Sequence, residues 1–149
     1  MNKTLYDQDY YLWLEHTTQL LKQGKFSGVD IPNLIDEIED MGKSQKQALK
    51  SNLRVVLMHL LKYQYQPEKR SNSWKYSIRE HRNCLHDQFE DSPSLKRDFN
   101  DVFQQCYANA REEAADETGL SIDTFPIESP FLPEQSLNTE YLPSYKKLK

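Results

Sequence analysis

The chain has 149 residues, of which 37% are hydrophobic and 28% charged, with a mean hydropathy of −0.87. That is the length of one domain with a lean core. The formal net charge is −4, there are four glycines and few β-branched residues, and no apolar run approaches the ~18 residues of a membrane span. A large sheet, a membrane span and a signal peptide are therefore not expected, and two cysteines, Cys84 and Cys106, are too few for a disulfide framework and point to the reducing cytoplasm.

Thr4 or Asp7 caps a first helix that Gly24 closes, with Tyr10, Trp13, Leu14, Thr17, Leu20 and Leu21 on its apolar face. The short link that follows, with two glycines, folds this helix back on the next. That next stretch, Asp30 to Gln66, is the longest amphipathic run. At 100° per residue, Leu34, Ile38, Met41, Gln45, Leu49, Asn52, Val56, His59, Leu60 and Tyr63 all fall within about 80° of the direction of Leu34. Asp30 is a good N-cap and Pro32 is tolerated in the first turn. Gly42, followed by Ser44 and Gln47 as a capping box, leaves two helices open as an alternative. The continuous phase favours one long helix, loosened or kinked at Gly42, against which the other segments pack.

Pro67 stops this helix. Asn72 or Ser73 caps the next, whose apolar face is Trp74, Ile78, His81, Leu85 and Phe89 and whose polar face carries Lys75 and Arg79. Ser92 caps a further helix with Pro93 at its first position; Leu95, Phe99, Val102, Phe103, Cys106 and Ala110 line it and Gly119 follows its end. Pro126, Pro130, Pro133 and Pro143 then rule out a long helix, while Ile122, Phe125, Ile127, Phe131 and Leu132 are too apolar for a solvated tail. The expected fold is all-α. An up-down helical bundle of four or five helices surrounds one long central helix over residues 1–119. An extended Pro-rich C-terminal segment, residues 120–149, packs on it and loosens after about Leu132.

These motifs resemble the domain of unknown function 29 family, a set of small helical proteins found mainly in cyanobacteria. The resemblance rests on LYDQDYYLWLEHTTQLLKQG, DIPNLIDEIEDMGKS, LMHLLKYQYQPEKRSNSW, SIREHR and DSPSL, in order, over roughly residues 5–115. It implies an all-helical fold and no established activity. One departure is His81, which stands where the family pattern has Gln.

Charge is unevenly laid out. Residues 1–42 hold three basic and eight acidic residues, net −5; residues 43–82 hold ten and two, net +8; residues 83–149 hold six and thirteen, net −7. Lean core and uneven charge favour a protein that works by protein–protein contact, as a homodimer or with another partner. In the basic segment Lys69, Arg70, Lys75 and Arg79 lie among Tyr63, Tyr65, Trp74 and Tyr76, a pattern that suits single-stranded nucleic acid. Against it, an antiparallel pairing of the last two helices brings Glu112, Glu113, Asp116 and Glu117 to Lys69, Arg70 and Lys75, and makes Trp74 a core anchor. His59 and His81, both on apolar faces, are candidate metal ligands for a helical-bundle enzyme. Glu37, the tempting third ligand, lies about 33 Å from His59 along a straight helix, and the departure at His81 weakens the idea further. A hydrogen-bonded core histidine is the simpler reading of His59. The carboxylate pairs Asp36/Asp40 and Glu37/Asp40 fit a solvated helix start. No nucleophile motif, phosphate loop or Cys/His metal spacing is present, so binding is favoured over catalysis and no cofactor is expected.

Overall fold

The computed structural model describes residues 3–144. Among them are six α-helices and no strand: α1 (Leu5–Gln8), α2 (Tyr10–Lys22), α3 (Ile31–Tyr65), α4 (Asn72–Asp91), α5 (Leu95–Thr118) and α6 (Pro133–Leu137). The all-helical bundle with one long helix is therefore the fold. α3 runs through Gly42 as one helix of 35 residues, from the Asp30 cap, whose carboxylate accepts from the Asn33 N–H, to the turn that starts at Pro67. The chain divides between Ser44 and Gln45 into two compact units.

In the first unit the expected single helix before Gly24 is two. Asp9 leaves helical dihedrals, and its side chain accepts from the Leu12 N–H to start α2, while Thr4 caps α1. Gly24 ends α2 with φ of 71°, a conformation that costs other residues steric strain. Tyr6, Tyr10 and Trp13 pack as an aromatic trio, Tyr6 edge-on to Trp13 at 4.8 Å between centroids. Both phenols donate to the Glu37 carboxylate of α3. The bonds from Tyr10 and then Tyr6 hold Glu37 below the usual carboxylate range, and the same bond pushes the Tyr6 phenol up to about 12.

The second unit holds the core. From Leu49 onward α3 buries Leu49, Leu53, Val56, Leu57, Leu60 and Leu61 against Ile78, Leu85 and Phe89 of α4 and Phe99, Phe103, Cys106, Ala110 and Ala114 of α5. Each large apolar side chain removed from water in this way contributes about 1.5–3 kcal/mol. The contacts fix the directions. Gln88 donates to the Gln45 carbonyl and Lys62 lies over Trp74, so α4 runs antiparallel to α3. Lys46–Asp98, Arg54–Glu113 and Lys62–Glu117 are ion pairs at 3.6, 3.0 and 3.7 Å, so α5 runs parallel to it.

Three sequence expectations shift. Ser71, not Asn72 or Ser73, caps α4, by accepting from the Trp74 N–H. α5 begins at Leu95, and residues 92–95 close a turn instead of a Ser92 cap. On α4 the place between Ile78 and Leu85 on the buried stripe belongs to Arg82, 1% exposed, while His81 lies at its edge and donates from Nδ1 to the Ser77 carbonyl at 2.7 Å.

Arg82 explains the C-terminal segment. Its guanidinium donates to the carbonyls of Ser136, Gln135 and Tyr141 at 3.0, 3.0 and 2.9 Å. Burial lowers its pKa to about 10, so it is still a cation at neutral pH. Tyr107 and Arg111 of α5 donate to the carbonyls of Pro126 and Phe125, and Arg70 to that of Pro143. Phe125 and Phe131 enter the core. α6 forms where Pro133 takes a first helical position. The looser end expected after Leu132 falls partly on residues 145–149, outside the described residues; between 133 and 143 the carbonyls of Gln135, Ser136, Tyr141 and Pro143 accept the bonds above. Replacing Arg82 by Met leaves one buried and two part-buried carbonyls without their donor, so Arg82→Met is expected to lower stability by about 2 kcal/mol in urea and to open residues 120–144 to limited proteolysis. Unchanged stability and an unchanged cleavage pattern would contradict this role.

Candidate functional site

The residues singled out from sequence fall into two places in the second unit. The first is the basic face. Asn72, Lys75, Tyr76 and Arg79 share one face of α4 at spacings of 3, 4 and 7 and line a concavity of about 360 Å³. A second concavity, about 460 Å³, is lined by Tyr63, Arg70, Ser71, Asn72 and Lys75. Arg70 is fixed by its bond to the Tyr63 carbonyl at 2.7 Å and by stacking 4.1 Å over the Tyr63 ring. Arg79 lies 5.8 Å from the ring centroid of Tyr76, which is 58% exposed. Trp74 is half-buried beneath Lys62.

The expected neutralisation of this face does not occur. Because α5 runs parallel to α3, Glu113 meets Arg54 and Glu117 meets Lys62. Among the described residues Lys69, Arg70, Lys75 and Arg79 have no carboxylate within ion-pairing distance. Two of the four acids near the end of α5, Glu113 and Glu117, are paired in the way the helix dipole favours, but to cations of α3.

The second place is His59. Its Nδ1 is buried without a partner. Burial, then the positive charges of Lys62 and His81, hold its pKa down to about 4, against a smaller opposing pull from Glu117. So His59 is near His81, as the antiparallel helices required, but it is not the hydrogen-bonded core histidine expected. Among the described residues no three His, Cys, Asp or Glu side chains converge as a metal site.

A third feature was not read from sequence. Among the described residues of the first unit only Trp13 and Val29 of the large apolar side chains are buried, while Tyr10, Tyr11, Leu12, Leu21, Phe26, Ile31, Ile35, Ile38 and Met41 are 42–70% exposed. Ile38 and Met41 were expected inside, on the stripe that continues to Leu49. Helical phase reports which residues share a face, and it carries no information about whether anything covers that face.

The His59 shift has a sign. The unfolded state takes a proton near pH 6.5 and the native state only near 4, so stability is complete above about 6.5 and falls as pH drops toward 4, by at most about 3 kcal/mol and less where water reaches the ring. His59→Leu removes an unsatisfied polar atom, so it is expected to leave stability at pH 7.5 unchanged or higher and to flatten the profile between pH 6.5 and 4 in urea titrations. An equally steep profile in the variant would assign the acid sensitivity elsewhere.

No helix among the described residues is long and apolar enough to cross a membrane. No curated protein and no solved structure matches the chain. The family model for Domain of unknown function DUF29 matches residues 5–142, nearly the whole length, and the chain belongs to that family.

Proposed function

We propose that this protein acts by protein–protein contact through its first unit. The observation that carries the reading is the imbalance there, with two large apolar side chains buried against nine exposed. That much exposed apolar side chain beside so little buried fits an interaction surface. The eight acidic residues within 1–42 disfavour contacts that bring like charges together, so the partner must meet the apolar groups where those carboxylates point away. The unpaired thiols of Cys84 and Cys106 support a cytoplasmic setting.

A photo-crosslinking residue placed at Tyr11 or Phe26, 70% and 64% exposed, is expected to trap a discrete protein product in cells, whereas Ile127 in the second unit, 82% exposed, is expected to trap none. Equal trapping at all three positions, or none at Tyr11 and Phe26, would remove the reading.

The face of Lys69, Arg70, Lys75 and Arg79 supports a second reading, association with single-stranded nucleic acid, because two of the four α5 acids expected to neutralise it, Glu113 and Glu117, pair with Arg54 and Lys62 instead. A fluorescent oligonucleotide is expected to bind with an affinity that falls steeply as salt rises, and Lys75→Ala with Arg79→Ala to lose most of it. Absence of binding at low salt would end this reading.

A further inference from the structure

Four residues of α3 are poor choices for a helix surface facing water. Ile31, Ile35 and Ile38 are 48%, 49% and 58% exposed, and β-branched side chains gain nothing there in helix propensity. Gly42 stands mid-helix, where glycine costs about 1 kcal/mol relative to alanine. Its backbone does not require glycine, since its φ is not positive. Nor does packing, since a Cβ added there would meet nothing within 4 Å. The monomer therefore gives no reason for any of the four.

All four lie on one seam. At about 100° per residue, Ile31, Ile35, Ile38 and Gly42 fall within about 60° of one another, at spacings of 4, 3 and 4, the pattern by which two helices mesh. Leu34 and Met41, the latter 61% exposed, border one side. Glu39 is the one charged residue bordering the other; Asp36 and Asp40 point away.

We infer that this seam binds the same seam of a second copy of the chain, antiparallel, about a two-fold axis between residues 36 and 37. This rests on the reading that the first unit is a protein-binding surface and names its occupant. The seam is complementary to itself in that direction. Ile35 meets the partner's Ile38 at the centre, and at each end an isoleucine at position 31 enters the gap left by glycine at position 42. A parallel pairing instead sets glycine against glycine and leaves that gap open. The flanks agree, because Leu34 then faces the partner's Met41 while Glu39 faces the partner's Pro32 and meets no like charge. The four exposed apolar side chains at 31, 35, 38 and 41 present roughly 400 Å² per copy, about half of what a standard interface takes from each partner. The dimer is accordingly weak and reversible, half-dissociated at micromolar concentration.

Sedimentation of the full chain from about 1 to about 200 µM is expected to show monomer passing to dimer. Ile38→Glu, at a position already exposed, is expected to abolish the dimer and leave the melting temperature of the dilute protein unchanged. Gly42→Ala separates the inference from a structural role. It is expected to raise the dilute melting temperature, as alanine in a helix should, and to weaken dimerisation tenfold or more. For direction, chains carrying Ile35→Cys and Ile38→Cys, each with Cys84→Ser, are mixed and oxidised; the mixed disulfide is expected to form faster than either symmetric one. A chain that stays monomeric throughout, a Gly42→Ala dimer as tight as the parent, or faster symmetric disulfides would each overturn the inference. A monomer that still yields a crosslink to a different protein at Tyr11 or Phe26 would overturn it while sparing the protein-contact reading.

Discussion

The structure depends on how far along α3 its apolar face is covered. From Leu49 to Tyr65 that face is removed from water by α4, α5 and the C-terminal segment, and Leu53, Val56, Leu57, Leu60 and Leu61 are 0% exposed. Burial of that kind is the main favourable term in folding, and here it is concentrated in one half of one helix. The other half keeps the same helical conformation with few apolar contacts. Its order derives from the Asp30 cap, the bonds from Tyr6 and Tyr10 to Glu37, and continuity of the helix.

A lean core has to be closed by other means, and the second unit does this with donors. Arg82 sits where an aliphatic residue would complete the stripe of Ile78 and Leu85. A cation there is tolerated because each of its bonds ends on a backbone carbonyl of residues 135–141, one buried and two part-buried, so donor and acceptors satisfy one another. Tyr107 and Arg111 treat residues 125 and 126 in the same way. The segment after Gly119 has little regular structure of its own. It is held by side chains of α4 and α5 at intervals, and Phe125 and Phe131 fill the space between these points.

Much of this was legible in the chain. The phase from Leu34 to Tyr63 favoured one helix through Gly42 over two, and Asp30, Pro67 and Gly119 marked its limits and the end of α5. What was not legible has physical causes. Asp9 breaks the first helix because its side chain caps α2 more effectively than it continues α1, a local competition that periodicity does not register. The positions of Glu113 and Glu117 depended on whether α5 lies along α3 or only along α4, and both fit the same wheel. Arg82 could have been found, since Ile78, Leu85 and Phe89 place it on their stripe, but a charged residue is read as surface by default. The exposure of Ile38 and Met41 could not have been, because the missing cover is not encoded in their spacing.

The most direct test of this account is amide hydrogen exchange along α3, resolved by residue and measured in dilute and concentrated protein. The account predicts that amides from Leu53 to Leu61 exchange only with global unfolding at both concentrations. Those from Ile35 to Met41 should exchange through smaller local openings when dilute and become more protected as concentration rises. Uniform protection along the whole helix in dilute protein would contradict it, because the first half would then be stabilised within the single chain.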